Sequence, residues 1–318
     1  MNVTSGNKTL TPPVNYRDSF VIAVGKNVIV VVLGMTINYI NATMIHTFNR
    51  HHIFKLNPRY ILFIHLVFND LLQLTTSITL FVFTYTFHTI YVPLCCLLIL
   101  PAVFTTQNTP LNLAFMAAEC YIAVCFPLRY NYICTVKRTY TVIGIIWTMS
   151  SLSILPDIFI LLVSEPQDFL YARVFCRRDN VFRSAYSLKK RDASHILFLV
   201  VVWITLFYTY FRILFVAKAA NTDANKARNT ILLHGFQVLL CMITYVQPMI
   251  VTFLSYLFPG GMASILFAIF VINQILPRFI SPIVYGLRDS TFRKYLKHYL
   301  LCAVNESNHV KKKLKALC

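Results

Sequence analysis

Few side chains in this sequence can do chemistry, and several of those that can lie inside oily stretches. Asp70, Asp157 and Arg278 interrupt runs of apolar residues, as does His65. An ionisable group in such a setting is costly unless paired, and marks a functional position by default. Arg278 reads either as snorkelling or as paired internally. One histidine makes no metal site, so His65 reads as a helix contact rather than a ligand. The patterns of catalysis are missing: no GxSxG, no HExxH, no P-loop and no phosphate-cradling cluster among only 8 glycines. The expected class is therefore not an enzyme.

The elements that must position these residues follow from composition. The 318 residues are 57% hydrophobic and 13% charged, with a mean hydropathy of +0.63. A soluble domain carries about 25% charged residues, so most of this chain must face lipid or itself. The first twenty residues are polar, which argues against a cleavable signal peptide and makes the first apolar segment its own targeting signal. No repeat of 20–50 residues stands out, which disfavours a solenoid. A membrane span needs ~20 mainly apolar residues. Seven stretches qualify: 27–48, 60–87, 92–125, 139–163, 193–217, 230–257 and 263–287. The first is the weakest, carrying Asn27, Asn38 and Asn41. Unbroken apolar runs predict helices, since barrel strands would alternate every second residue. The expected fold is an all-α membrane protein, a seven-transmembrane bundle over 27–287. An extracellular tail, 1–26, precedes it, and a cytoplasmic segment, 288–318, follows.

Seven spans put the two ends on opposite sides, and Lys and Arg set the orientation. With the C-terminus inside, the inner loops and tail hold 17 basic residues and the outer side 10, seven of them in the 164–192 loop. Two sequons, at Asn2 and Asn7, are glycosylation candidates usable only in the lumen, in agreement with an outer N-terminus. The net charge of +18 speaks of topology and of the membrane surface, not of nucleic acid.

The motifs then resemble a family. Met116 to Tyr130 reads M-A-A-E-C-Y-I-A-V-C-F-P-L-R-Y at the inner end of span three, and Ser281-Pro282-Ile283-Val284-Tyr285-Gly286-Leu287-Arg288 closes span seven. Lys226-Ala227-Arg228-Asn229-Thr230, with His234, opens span six, Asn57-Pro58-Arg59-Tyr60 opens span two, and Trp147 lies in span four. Taken in order, these resemble the signatures of odorant receptors of the teleost type, within the rhodopsin-like G-protein-coupled receptors. Two positions depart: Cys120 stands where the family has Arg, and Ser281 where it has Asn before Pro282.

What the resemblance implies is specific. Asp70, Glu119, Cys120, Tyr121, Tyr208, Ser281, Pro282 and Tyr285 would make up the activation switch, with Glu119, Tyr121, Tyr208 and Tyr285 as an inner polar cluster. Asp70 would help hold a sodium ion; the alternative is an acid satisfied by Asn41 and Ser281 through water. No other cofactor is implied. Ala102, Val103, Thr106 and Gln107 on span three, with Tyr245 and Gln274, would line a ligand pocket of apolar walls and few polar groups; alternatively the polar ones bond between helices. An outer loop clasp would join Cys176 to Cys95, or to its neighbour Cys96. Cys95 precedes Cys120 by 25 residues, about 37 Å of helix, which puts it at the oxidising outer face if Cys120 is inside.

After span seven, Phe292, Tyr295, Leu296, Tyr299 and Leu300 fall on one helical face and Arg293, Lys294, Lys297 and His298 on the other. That predicts a short amphipathic helix lying on anionic lipid, with Cys302 beyond it as a palmitoylation candidate. The implied function is an odorant receptor of the plasma membrane, in olfactory cilia. It would bind a small-molecule odorant between its outer helix halves and activate a stimulatory (olfactory) heterotrimeric G protein. A receptor for a lipid or another small ligand is the alternative within the class. A transporter or ion pathway is the alternative outside it, disfavoured by the lack of internal symmetry.

Overall fold

A computed structural model describes residues 19–87, 89–219, 262–280 and 291–299, with scattered positions between 232 and 258. The expected sixth span, 230–257, lies mostly outside the described residues, as do Asn2, Asn7, Tyr245, Ser281, Pro282, Tyr285 and Cys302.

In lipid a single apolar segment can satisfy its own backbone N–H and C=O groups only as a helix. The long elements are α1 (Phe20–Arg50), α3 (Pro58–Phe87), α4 (Val92–Cys125), α6 (Val136–Ser164) and α9 (Ala185–Ala219). The last span is α10 (Met262–Phe270), running on through a π-turn, Val271–Ile275, and residues 276–280. Among the described residues, six helices are long and apolar enough to cross a membrane. Short helices make the connections: α2 (His52–Lys55), α5 (Pro127–Ile133), α7 (Gln167–Leu170), α8 (Arg178–Val181) and α11 (291–299).

Three helices start three or more residues earlier than expected. Helix α1 begins at Phe20 rather than 27, because Phe20-Val21-Ile22-Ala23-Val24 is itself apolar. Helix α9 begins at Ala185 rather than 193, so the last part of the expected outer loop is its first two turns; from that end Lys190 reaches Asp157 and Arg191 reaches Asp179. Helix α6 begins at Val136 rather than 139, where the Thr135 hydroxyl caps the Arg138 N–H at 3.3 Å.

Helices α3 and α4 are the most enclosed of the long helices and α1 the least, so they form the centre and α1 a lipid-facing edge. Helix α4 packs against α3, α6 and α9. Contact between α1 and α3 is close at Gly34, where an added Cβ would run into the Ile78 side chain; small residues let membrane helices approach this way. At the outer end, β1 (Ile90–Tyr91) pairs antiparallel with β2 (Arg173–Val174), Ile90 opposite Val174. At the inner end α11 does present its expected apolar face, but to protein. Phe292 and Leu296 are buried, and the Phe292 ring packs on Phe54, Tyr60 and Phe63, while Arg293, Lys294 and Lys297 are exposed.

Candidate functional site

The functional side chains are strung along the bundle axis from the outer end inward. Outermost is the disulfide, formed by Cys95 and Cys176 with their Cα atoms 5.6 Å apart; Cys96 keeps a free thiol. Cys95 is the buried member of the adjacent pair, because successive residues turn ~100° on a helix and only one can face the loop. Below it, the buried Asp157 of α6 receives Lys190 Nζ at 2.6 Å and Arg178 Nη2 at 3.4 Å. A second ion pair joins Glu165 to Arg183, whose Nε lies 2.9 Å from Oε1. Hydrogen bonding from Arg183 holds the Glu165 carboxyl below the usual carboxylate range. Together these contacts fasten the outer loop and the head of α9 onto α6.

One level deeper lies a polar cluster shared by α3, α4 and the last span. The Thr106 hydroxyl accepts from Gln73 Nε2 at 2.7 Å and donates to the Ala102 carbonyl at 2.7 Å. Gln274 Oε1 accepts from Ser77 Oγ at 3.2 Å and from Gln73 Nε2 at 3.4 Å. The π-turn aims Gln274 here, and such wide turns often occur at functional sites. Ala102 is half-buried, and Val103 packs into the apolar cluster around the disulfide. Gln107 points elsewhere: its Nε2 donates to Ser153 Oγ on α6 at 3.1 Å. Thr106 and Gln274 are therefore brought together and Gln107 is not. The residues that join them, Gln73 and Ser77, were missed from sequence; their spacing of three and seven from Asp70, one helical face, was the available signal.

At mid-depth two networks meet. Asp70 Oδ1 lies 3.9 Å from Arg278 Nε, both residues buried. Pro277 has no N–H to offer the carbonyl four residues back, and Arg278 Nη1 donates to that carbonyl, of Asn273, at 2.6 Å. Asn273 Nδ2 in turn donates to Gln247 Oε1 at 3.0 Å. The neighbouring network centres on His65, whose Nε2 accepts from Trp147 Nε1 at 3.0 Å. Its Nδ1 is 3.3 Å from Asn112 Oδ1, so the network assigns the proton to Nδ1. Asn108 extends it to Ser150 Oγ at 2.5 Å and Asn69 Oδ1 at 3.4 Å. His65 is thus a junction between α3, α4 and α6.

At the inner face the expected cluster divides in two. Glu119 is buried and receives Arg59 Nε at 3.3 Å, Arg59 Nη2 at 3.4 Å and the Tyr130 hydroxyl at 2.6 Å. Burial, reinforced by Glu119, pushes the Tyr130 phenol well above its usual range. Tyr121 instead packs edge-on against Tyr208 of α9, centroids 5.7 Å apart. Residues two apart on a helix point ~200° from each other, so Glu119 and Tyr121 meet different partners. Cys120, at the place of the family's Arg, is buried beside Ile213 of α9. Among the described residues no group of acids, histidines and cysteines could hold a metal ion.

Apolar helices with their polar groups turned inward along one axis, clasped at the outer end, make up a multi-pass membrane bundle. Residues 40–285 match the 7 transmembrane receptor (rhodopsin family), and the chain belongs to that family of seven-helix receptors. It is similar to Odorant receptor 131-2 of Danio rerio, at 32% identity over 88% of this chain and 87% of that protein. A more distant likeness, 25% identical over 61% of this chain and 56% of the other, is to a QRFP-like peptide receptor of Branchiostoma floridae. The family is one of receptors, not enzymes.

Proposed function

We propose that this chain is an odorant receptor, in which a small molecule bound between the outer helix halves favours an inner face that engages a stimulatory heterotrimeric G protein. The observation that carries the reading is the cluster of Gln73, Ser77, Thr106 and Gln274, whose side chains bond to one another across three helices and are the few polar groups that a small molecule in an apolar setting would engage in their place. The relation to Odorant receptor 131-2 across most of both chains supports the ligand class. Ala102, Val103 and Tyr245 complete the proposed lining, with Gln107, also expected there, supporting it. Gln107 acts from behind, through Ser153.

Agonism is differential affinity for two bundle states. The elements proposed to change are Asp70, Glu119, Cys120, Tyr121, Tyr208, Ser281, Pro282 and Tyr285. The receptor sits in the plasma membrane of olfactory cilia with its N-terminus outside, glycosylated at Asn2 and Asn7. Its tail contacts anionic lipid, with Cys302 acylated. The disulfide supports this orientation, since Cys95 and Cys176 need an oxidising compartment. The test is a panel of water-soluble odorants applied to cells carrying the olfactory stimulatory G protein. Second messenger should rise with at least one ligand. Full surface expression with silence across the panel would defeat the reading.

A further inference from the structure

The family resemblance implies a sodium ion at Asp70, and the residues present argue against that ion. A small alkali cation in a protein core needs a cage of oxygen atoms and a net negative charge to offset its lost hydration. Here the carboxylate of Asp70 faces the guanidinium of Arg278 at 3.9 Å, and both side chains are at most 3% exposed. A guanidinium offers five N–H donors and no acceptor. It is also permanently charged. The pair is therefore already neutral, and a metal ion added beside it would leave one uncompensated positive charge in a low-dielectric interior.

The position of Arg278 is held independently of Asp70. Its Nη1 donates to the Asn273 carbonyl at 2.6 Å, the acceptor that Pro277 cannot serve through its own backbone. The proline and the π-turn set the backbone, and the arginine side chain bonds to it at Asn273 and reaches Asp70 on α3. We propose that Arg278 is the resident cation of Asp70, a covalently attached counter-ion that takes the role of a dissolved sodium ion in this receptor's core. A tethered cation cannot leave. It links the last span to α3 permanently, and any movement of that span relative to α3 must carry or break a buried charge pair. This holds whatever ligand the outer pocket takes.

The full-length receptor in detergent micelles tests it. Melting temperatures would be measured in sodium chloride and in N-methyl-D-glucamine chloride at equal ionic strength, for wild type, Arg278→Gln, Asp70→Asn and the double variant. Wild type should melt at the same temperature in both salts. Arg278→Gln should melt lower and regain about 2–4 °C with sodium, a gain abolished in the double variant. Folding is followed separately by surface expression. Each single variant strands one buried charge, so both should be poorly expressed, and the double variant should recover most of the loss. A wild type stabilised by sodium would overturn the proposal. So would an Arg278→Gln protein indifferent to sodium, or a double variant showing the sum of the two single losses.

Discussion

Arg59, on the first turn of α3, reaches across to the buried Glu119 of α4, with Nε 3.3 Å from Oε2. The residue next to Glu119 is Cys120, so the guanidinium that answers this carboxylate comes from another helix. Tyr130, on α5, donates to the same carboxylate at 2.6 Å. Three elements of the inner face therefore converge on one acid, and the contact ties α3 and α5 to α4 in the arrangement seen here.

Removing that tie should loosen the inner face. Arg59→Met or Glu119→Gln is expected to raise basal G-protein activation per surface receptor about five-fold, since an ion pair with one half-exposed partner is worth about 1 kcal/mol. Arg59→Lys keeps the charge but loses the fork and should fall between. Unchanged basal activity in all three variants at matched expression would mean that the contact is merely structural.

The outer clasp is a matter of one cysteine out of two. Cys95→Ser and Cys176→Ser should each cost about 2–4 kcal/mol of stability and most surface expression, with no further loss when combined. Cys96→Ser should be silent. Non-reducing peptide mapping reads the pairing directly, and a Cys96–Cys176 peptide would contradict the geometry.

The polar cluster separates two neighbours on α4. Thr106→Val and Gln274→Ala should each weaken the response to an active odorant about ten-fold, the equivalent of one hydrogen bond to a buried group. Gln107→Ala, whose amide bonds to Ser153, should change potency less than either. Equal effects at all three positions in dose–response curves would put the pocket elsewhere.

Trp147 donates to His65, and Trp147→Phe leaves that acceptor with one donor fewer in a buried site. A loss of about 1–3 kcal/mol is expected, seen as a lower melting temperature. A variant as stable as wild type would show that the other partners of His65 suffice.

The ion pair between Glu165 and Arg183 lies outside the spans and gives stability a pH dependence. Its carboxyl is depressed in the folded state, so the contribution is fully present above the ordinary carboxylate range and disappears as pH falls through the folded value. Arg183 is half exposed, which limits the contribution to about 0.2–1 kcal/mol. Glu165→Gln should melt slightly below wild type at neutral pH, and the difference should vanish in acid. A constant difference at every pH would assign it to packing.

How much of this was legible beforehand depends on the distance over which each feature is decided. The number of spans, their helical form, the inward polar residues and the apolar face of the tail follow from the sequence alone. Each is settled within one segment, by the need to satisfy backbone groups in lipid and to keep charge out of it. The motifs, equally local, were enough to indicate the family. Which groups meet was decided only by the tertiary structure. Gln73 and Gln274 are 201 residues apart, and Arg59 and Glu119 are 60 apart. Their meeting depends on how far each helix is rotated about its axis. That rotation is set by packing against all neighbours at once, and a one-residue change turns a side chain by ~100°. So Cys95 rather than Cys96 takes the disulfide, Gln107 faces α6 while Thr106 faces α3, and Arg278 finds Asp70.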